Sequence, residues 1–380
     1  MSGQDKITLS SEKWVNDGFT IAHEEGIPWF IKGMIPGETG ICSVTRKTRK
    51  FAHATAIKIT NPSPDRIEAD CPVFNECGGC SYRHVSYQYE LELKKNLLRD
   101  NLSYALINSE SSAIDNIDIV SHDELNYRNN VQIKAANGKI GFYKTNTNEI
   151  VPLPPEGCRN LANELNEYIL SSRKGFELSA KKEIRLRLTD QGIVEYSDAE
   201  SKLELLGNKY SVPGNGFLQI NRYLTEIWLK MIQDNSPVTG HIAEFFSGSG
   251  IISVALKDHC EYLTGFEIDK NAVRYANKNA KANGVKNFNF YPVNLYEQKL
   301  KIPKSSYWIF NPPRSGLNKL ITDQVLQHQP EQILYSSCNY ITLGRDLKEL
   351  SDKYSVTKIV MLDFFPRTPH FETVAVLVKK

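Results

Sequence analysis

The chain has 380 residues, 41% of them hydrophobic and 10% aromatic, and a formal net charge of +2. That length exceeds one ordinary domain and the apolar content builds sizeable cores, which excludes a mainly disordered chain. No aliphatic run approaches the roughly 20 residues of a membrane span; the stretch Ile359–Leu362 is among the longest. The start MSGQDKITLS lacks the apolar centre of a signal peptide, so the expectation is a cytoplasmic protein with no membrane partner, and a monomer by default. Seven cysteines are too few and too uneven for a disulfide scaffold. In a reducing compartment they read as ligands or nucleophiles.

Residues 1–62 carry short apolar runs (Gly18–Ala22, Trp29–Ile31, Gly40–Val44, Ala54–Ile59) punctuated by Gly26, Pro28, Gly33, Pro36 and Gly37. That rhythm predicts a small β-barrel. Between Ile41 and Thr60 stand Arg46, Lys47, Arg49, Lys50 and Lys58 and no acid. Such a stretch is either a strand edge protected by lysines or a patch for phosphates. Asn61–Pro64 reads as a linker into a second part, residues 63–215. Its first helix is expected from Tyr87 to about Leu106, and strands are expected at 130–134, 139–143 and 184–188 around a helix at Asn160–Ser172.

From 216 to 380 helix-like and strand-like segments alternate, the mark of an α/β sheet. A helix over Asn221–Ile232 precedes the strand Ile242–Phe246, and the turn Ser247-Gly248-Ser249-Gly250 opens the next helix. Glycines there let the backbone approach a ligand at the carboxyl edge of the sheet. Ser253 stands where a dinucleotide fingerprint needs its third glycine, which disfavours a nicotinamide site. The second strand ends at Glu267, placed to accept ribose hydroxyls, and the third at Val293-Asn294, whose amide suits an adenine edge. Together the three features resemble class I S-adenosylmethionine-dependent methyltransferases.

A fourth strand, Tyr307–Phe310, runs into Asn311-Pro312-Pro313-Arg314, where two prolines force a rigid turn. A fifth leads into Ser336-Ser337-Cys338-Asn339 and a helix to Leu350. A cysteine between strand end and helix start lies near free N–H groups, so a lowered thiol pKa is expected at Cys338. A lone cysteine is otherwise a small buried hydrophobe, but this one stands at the cofactor edge. Glu372 precedes the last strand in Arg367-Thr368-Pro369-His370-Phe371-Glu372-Thr373-Val374. A thiolate adding to position 6 of a pyrimidine makes position 5 nucleophilic, and a base must then take the position 5 proton. Cys338 suits the first role and Glu372 the second, with His370 a weaker base. Cys71, Cys77 and Cys80 are spaced C-x5-C-x2-C, with Cys158 far downstream. Four thiolates can hold zinc, the commoner reading of spacing alone, or an iron–sulfur cluster.

These motifs resemble the RNA uracil-5 methyltransferases that form 5-methyluridine in ribosomal or transfer RNA, over nearly the whole chain. The resemblance implies a TRAM-like (OB-like) RNA-binding barrel at 1–62, a mixed α+β central domain with a [4Fe–4S] cluster at 63–215, and a Rossmann-like catalytic domain at 216–380. It implies cluster ligation by Cys71, Cys77, Cys80 and Cys158, and a structural role for the cluster. It places S-adenosylmethionine or the target base against Gln219, Phe246, Glu267, Asn294 and Asn311, with Cys338 as nucleophile and Glu372 as base. Ribosomal RNA is the first expectation and transfer RNA the second. Phe217, Tyr82 and Tyr87 are candidate stacking residues. The sequence departs from the family at Asn311 (usually aspartate), Tyr340 (usually proline) and Ile251 (often polar). Asn311 motivates a cytosine-5 alternative, weakened because an asparagine cannot protonate cytosine N3. A catalytically silent RNA-binding protein is the other alternative, opposed by the presence of both Cys338 and Glu372.

Overall fold

The computed structural model describes residues 5–107, 112–145, 147–178, 182–195, 200–237 and 240–380. Six strands come first: β1 (Lys6–Ser10), β2 (Lys13–Trp14), β3 (Phe19–Glu24), β4 (Ile27–Lys32), β5 (Thr39–Lys47) and β6 (Ala52–Asn61). They form one sheet in the order β1-β5-β6-β4-β3-β2. The end strands β1 and β2 are separated in sequence only by Ser11 and Glu12, so the sheet must curl until its two edges lie close. Leu9, Ala22, Trp29, Ile31, Met34, Cys42, Ala52 and Ala54 fill the inside.

Next, α1 (Tyr87–Ala105) starts at Ser86, whose hydroxyl accepts from the Tyr89 N–H as an N-cap. Leu91, Leu98 and Leu102 fall on one face and pack into the same core as the C-terminal strands. The short β7 (Asp118–Val120) pairs in parallel with a strand of the C-terminal sheet. Thus α1 and β7, placed by sequence in the central part, pack on the C-terminal layer. A second sheet, ordered β10-β9-β8-β11-β12, comprises β8 (Asn130–Ala136), β9 (Lys139–Tyr143), β10 (Ile150–Pro152), β11 (Glu183–Thr189) and β12 (Gly192–Glu195). It is backed by α2 (Asn163–Ser171) and α3 (Arg173–Glu177), with Leu165 and Ile169 in its core. A hairpin of β13 (Ser201–Leu205) and β14 (Asn208–Val212) follows.

The remainder is an α/β unit: α4 (Leu224–Asp234), β15 (His241–Phe245), α5 (Ile251–Ala255), β16 (Tyr262–Glu267), α6 (Lys270–Ala282), β17 (Phe288–Pro292), β18 (Tyr307–Phe310), α7 (Lys319–His328), β19 (Gln332–Ser337), α8 (Tyr340–Leu350), β20 (Tyr354–Leu362) and β21 (Glu372–Lys379). Its sheet runs β17-β16-β15-β18-β19-β21-β20-β7. Strands β15 to β19 are parallel and β21 is antiparallel to both neighbours. The central strands β15, β18 and β19 are buried on both faces, as helices on either side of a parallel sheet require. The order reverses between β15 and β18, and there the two crossovers diverge to opposite sides and open a crevice. This is the class I methyltransferase architecture. No helix among the described residues is long and apolar enough to cross a membrane.

Candidate active site

Parallel register brings the sequence-predicted residues to one edge. Phe245 pairs with Phe266 on β16 and with Phe310 on β18, and Glu267 pairs with Pro292 on β17. Phe246, Glu267, Asn294 and Asn311 therefore all lie at, or just beyond, the carboxyl ends of adjacent strands. Cys338 follows β19, and Glu372 opens the antiparallel β21 at the same end. All six, with Gln219, line one cavity of about 680 Å³ that also includes Phe217, Arg314 and His370. A smaller lobe of about 170 Å³ continues under the glycine turn, past Ser247, Gly248 and Glu244.

The floor of the first lobe is built for a polar ligand. Gly248 N–H donates to Glu267 Oε2 at 3.0 Å and Asp269 N–H donates to Oε1 at 2.9 Å. Two amides thus fix a carboxylate that lines the cavity. Phe246 has φ of 63°, a left-handed conformation that costs a non-glycine residue free energy and clusters at functional sites. Gly250 also sits at φ 73°, and a Cβ there would come within 3.0 Å of Ala276. Behind the turn, Glu244 is buried and accepts from the Ser253 hydroxyl. Burial pushes its carboxyl up to about 8. The Ser247 hydroxyl is buried without a hydrogen-bond partner among the described residues, and its residue faces the cavity.

At the other end Glu372 is 2% exposed, and burial raises its carboxyl to about 7. The Ser336 hydroxyl donates to Glu372 Oε1 at 2.6 Å and accepts from Trp228 Nε1–H at 3.0 Å. The Cys338 thiol departs from expectation. Burial, reinforced by the Glu372 charge, pushes it up to about 11, outweighing the opposing Arg314 cation and backbone amide. The lowered value read from the helix start is corrected: desolvation of the thiolate exceeds the stabilisation by free amides. His370 is held down at about 4 by burial and by Arg314, whose Nη2 lies 2.8 Å from His370 Nδ1. Arg314 is tied in turn to the nucleophile loop, its carbonyl accepting from Asn339 Nδ2 at 2.9 Å.

Three residues of the site carry no signal that sequence reading used. Trp228 and Ser336 orient Glu372 from elements far apart in sequence, and Arg314 was read only as part of a turn. Tyr340, where the family usually has proline, stacks on Phe371 with centroids 5.1 Å apart and reaches Asn16, in the turn between β2 and β3, through its hydroxyl. Of the candidate stacking aromatics, Phe217 is 75% exposed at the cavity, whereas Tyr82 is fully buried. Tyr87 donates its hydroxyl to Asp363 Oδ2 at 2.9 Å. Tyr82 and Tyr87 are packing residues, because the loop around them is clamped onto the C-terminal unit through Arg367.

Cys71, Cys77, Cys80 and Cys158 line a separate cavity of about 60 Å³. Cys80 Sγ accepts from Asn160 Nδ2, and Cys77 Sγ from the Gly79 N–H, each at 3.4 Å. No group of three or more His, Cys, Asp or Glu among the described residues is arranged to hold a metal ion.

Comparison with known proteins fits this architecture. A family model described as tRNA (uracil-5-)-methyltransferase matches residues 178–380. A curated protein of Leptospira interrogans, named an uncharacterized RNA methyltransferase, is 38% identical, covering 99% of this chain and 95% of its own length. One of the same name from Aquifex aeolicus is 27% identical over 98% and 99% of the two chains. The solved tRNA (uracil-54, C5)-methyltransferase of Pyrococcus abyssi, in complex with S-adenosyl-L-homocysteine, shares the fold at a TM-score of 0.73 and 23% identity, covering 98% of this chain and all of that one. The class defined by fold and relatives is that of RNA methyltransferases. Within it, the chain belongs to the RNA uracil-5 methyltransferase family and is an RNA uracil methyltransferase.

Proposed function

We propose that this enzyme transfers a methyl group from S-adenosylmethionine to carbon 5 of a uridine in RNA through a covalent Cys338–uracil adduct. The observation that carries the reading is the meeting of Cys338 and Glu372 in one cavity with Gln219, Phe246, Glu267, Asn294 and Asn311. The residues present fit the methyl donor: an anchored carboxylate for ribose, an unpartnered buried Ser247 hydroxyl, and a glycine turn open to close approach. When bound, S-adenosylmethionine supplies an electrophilic methyl on a sulfonium. Gln219, Phe246, Glu267 and Asn294 hold it at the sheet edge. Asn311 can accept from uracil N3–H or donate to O4, and so orient the base.

Cys338 gives its proton to solvent and its sulfur bonds to uracil carbon 6. The electron pair released into the ring makes carbon 5 attack the methyl, whose bond to the sulfonium sulfur breaks, with S-adenosylhomocysteine as the leaving group. Glu372, ionised, takes the carbon 5 proton; the C6–S bond then breaks and the ring double bond returns. Ser336 and Trp228 aim the carboxylate. The target nucleotide must leave its stack to reach a cavity this enclosed. Ribosomal RNA is the first substrate the sequence leads one to expect, but the names of the family model and of the Pyrococcus abyssi protein add weight to transfer RNA. Mass spectrometry of RNA from cells lacking the gene names the substrate, and a loss of 5-methylcytidine instead of 5-methyluridine would overturn the base assignment.

We further propose three parts, 1–62, 63–215 and 216–380, with α1 and β7 of the second seated on the third, a TRAM-like barrel for RNA, and a cytoplasmic monomer. The second part includes a [4Fe–4S] cluster held by Cys71, Cys77, Cys80 and Cys158. Four thiols lining one small cavity are the donor set that would hold it. Buried Arg83, whose Nε lacks a partner among the described residues, adds a cation beside Cys80. The four ligands would pin residues 71–80 to the 158 loop.

A further inference from the structure

The outer face of the N-terminal sheet carries aromatic rings that its core does not use. Trp29 and Ile31 on β4, and Ala52 and Ala54 on β6, point inward and are at most 1% exposed. Side chains alternate along a strand, so Phe30 and His53, lying between those pairs, point outward. They stand side by side in the β4–β6 register. Ile21 on β3 pairs with Phe30, and Arg46 on β5 pairs with His53, so one outward row crosses four strands. Phe19 and Phe51 flank it. His53 packs against Phe30 at 5.2 Å with the rings 28° apart, against Phe19 at 5.5 Å and against Phe51 at 5.6 Å. The Arg46 guanidinium lies 5.3 Å from the Phe51 ring centre.

These rings belong to none of the hydrophobic cores of the described residues, and each is half-buried. Burial and the Arg46 charge hold the His53 imidazole below its ordinary range, which keeps the ring neutral. Arg46, Arg49 and Lys50 are exposed beside the cluster, while Lys47 is engaged by Glu25. Aromatic faces next to cations are the chemistry that receives unpaired nucleobases and their phosphates. One edge of the face begins near the loop that carries Cys338. Asn16, three residues before Phe19, contacts the hydroxyl of Tyr340, two residues after Cys338. Strand β3 therefore starts within about 10 Å of that contact.

We propose that Phe30, Phe51 and His53, with Phe19 at the edge, form a stacking platform for unpaired bases of the substrate RNA, and that Arg46, Arg49 and Lys50 take the phosphates. The proposal rests on RNA as the substrate and not on the covalent chemistry. A fluorescein-labelled decauridylate and its 5-iodouridine derivative test it, by anisotropy and by ultraviolet crosslinking, on the full-length chain. Phe30→Leu combined with Phe51→Leu keeps apolar bulk while removing two rings; thermal unfolding and S-adenosylhomocysteine binding verify the fold. The expected results are crosslinks at Phe30, Phe51 or His53, and affinity about tenfold or more weaker in the leucine pair with the salt dependence retained. Arg46→Gln with Arg49→Gln and Lys50→Gln weakens binding and flattens the salt dependence. In methyl transfer to total cellular RNA, the leucine pair raises KM and leaves kcat unchanged. Unchanged affinity in the leucine pair, or crosslinks confined to other segments, would overturn the platform. Wild-type protein that crosslinks as expected yet methylates no RNA would instead sink the functional reading and leave the platform standing.

Discussion

At the scale of single residues, the site stores two protons where catalysis needs them removed. Cys338 is pushed up to about 11 and Glu372 to about 7, both first by burial, and the carboxylate's charge adds to the thiol's rise. Cys338 should therefore alkylate slowly with iodoacetamide at pH 8, where Glu372 is ionised. Glu372→Gln removes that charge and should speed the alkylation several-fold; an unchanged rate, read by peptide mass spectrometry, would separate the two groups. Methyl transfer should rise with pH through about 7 as Glu372 ionises. Stability runs the other way. A carboxyl raised in the folded state binds its proton more tightly there than when unfolded, so folding loses stability as pH climbs from about 4.5 to about 7. Glu372→Gln should consequently raise Tm at pH 8 relative to its effect at pH 4, a difference that thermal scans at the two pH values measure directly.

At the scale of elements, the connection between β20 and β21 brings Phe365 and His370 to the cavity, and a buried charge cluster holds it. Lys94 Nζ on α1 donates to Glu90 Oε1 at 2.6 Å and to Asp363 Oδ1 at 2.7 Å, and all three side chains are fully buried. Arg367 N–H also donates to Glu90 Oε1, at 2.7 Å. Lys94→Met leaves buried Asp363 without its cation and Glu90 with only Arg367, 3.7 Å away, and should destabilise the protein by about 3–5 kcal/mol in urea unfolding. A loss below about 1 kcal/mol would mean the carboxylates find other partners. None of this was legible, because Lys94 reads as one of several charges on the first helix and Asp363 lies far along the chain. The cofactor edge was legible for the opposite reason: apolar strands ending in glycine, an acid, an amide or prolines mark their own carboxyl ends. Helix α7 was missed, since its apolar positions Ile321 and Val325 sit among polar residues, with the cap Asn318 as the main signal. Tyr82 was misread because an aromatic near a basic helix looks the same in sequence whether it faces solvent or a core.

At the scale of the whole molecule, a few contacts tie the N-terminal sheet and the cysteine loop to the elements around the active site. Ser81 N–H, next to Cys80, donates to the Arg367 carbonyl at 2.8 Å, and Trp14 Nε1–H donates to the Tyr89 hydroxyl at 3.1 Å. The cysteine loop is thus one residue from the segment that leads to His370 and Glu372. Cys80→Ala should therefore expose residues 71–80 to limited proteolysis and lower Tm while S-adenosylhomocysteine binding persists; a protected loop would deny the cysteines their structural role. The alternation of helix and strand from about 216 onward was legible in the sequence, but the seating of α1 and β7 on the catalytic sheet was not, because β7 is only three residues long. The central claim is that Cys338 bonds the target uracil and Glu372 releases it. The most direct measurement is intact-mass and peptide analysis of Glu372→Gln incubated with S-adenosylmethionine and substrate RNA. The predicted result is a denaturation-stable adduct at Cys338 carrying the methylated nucleotide. No adduct, together with methyl transfer retained by Cys338→Ala, would contradict it.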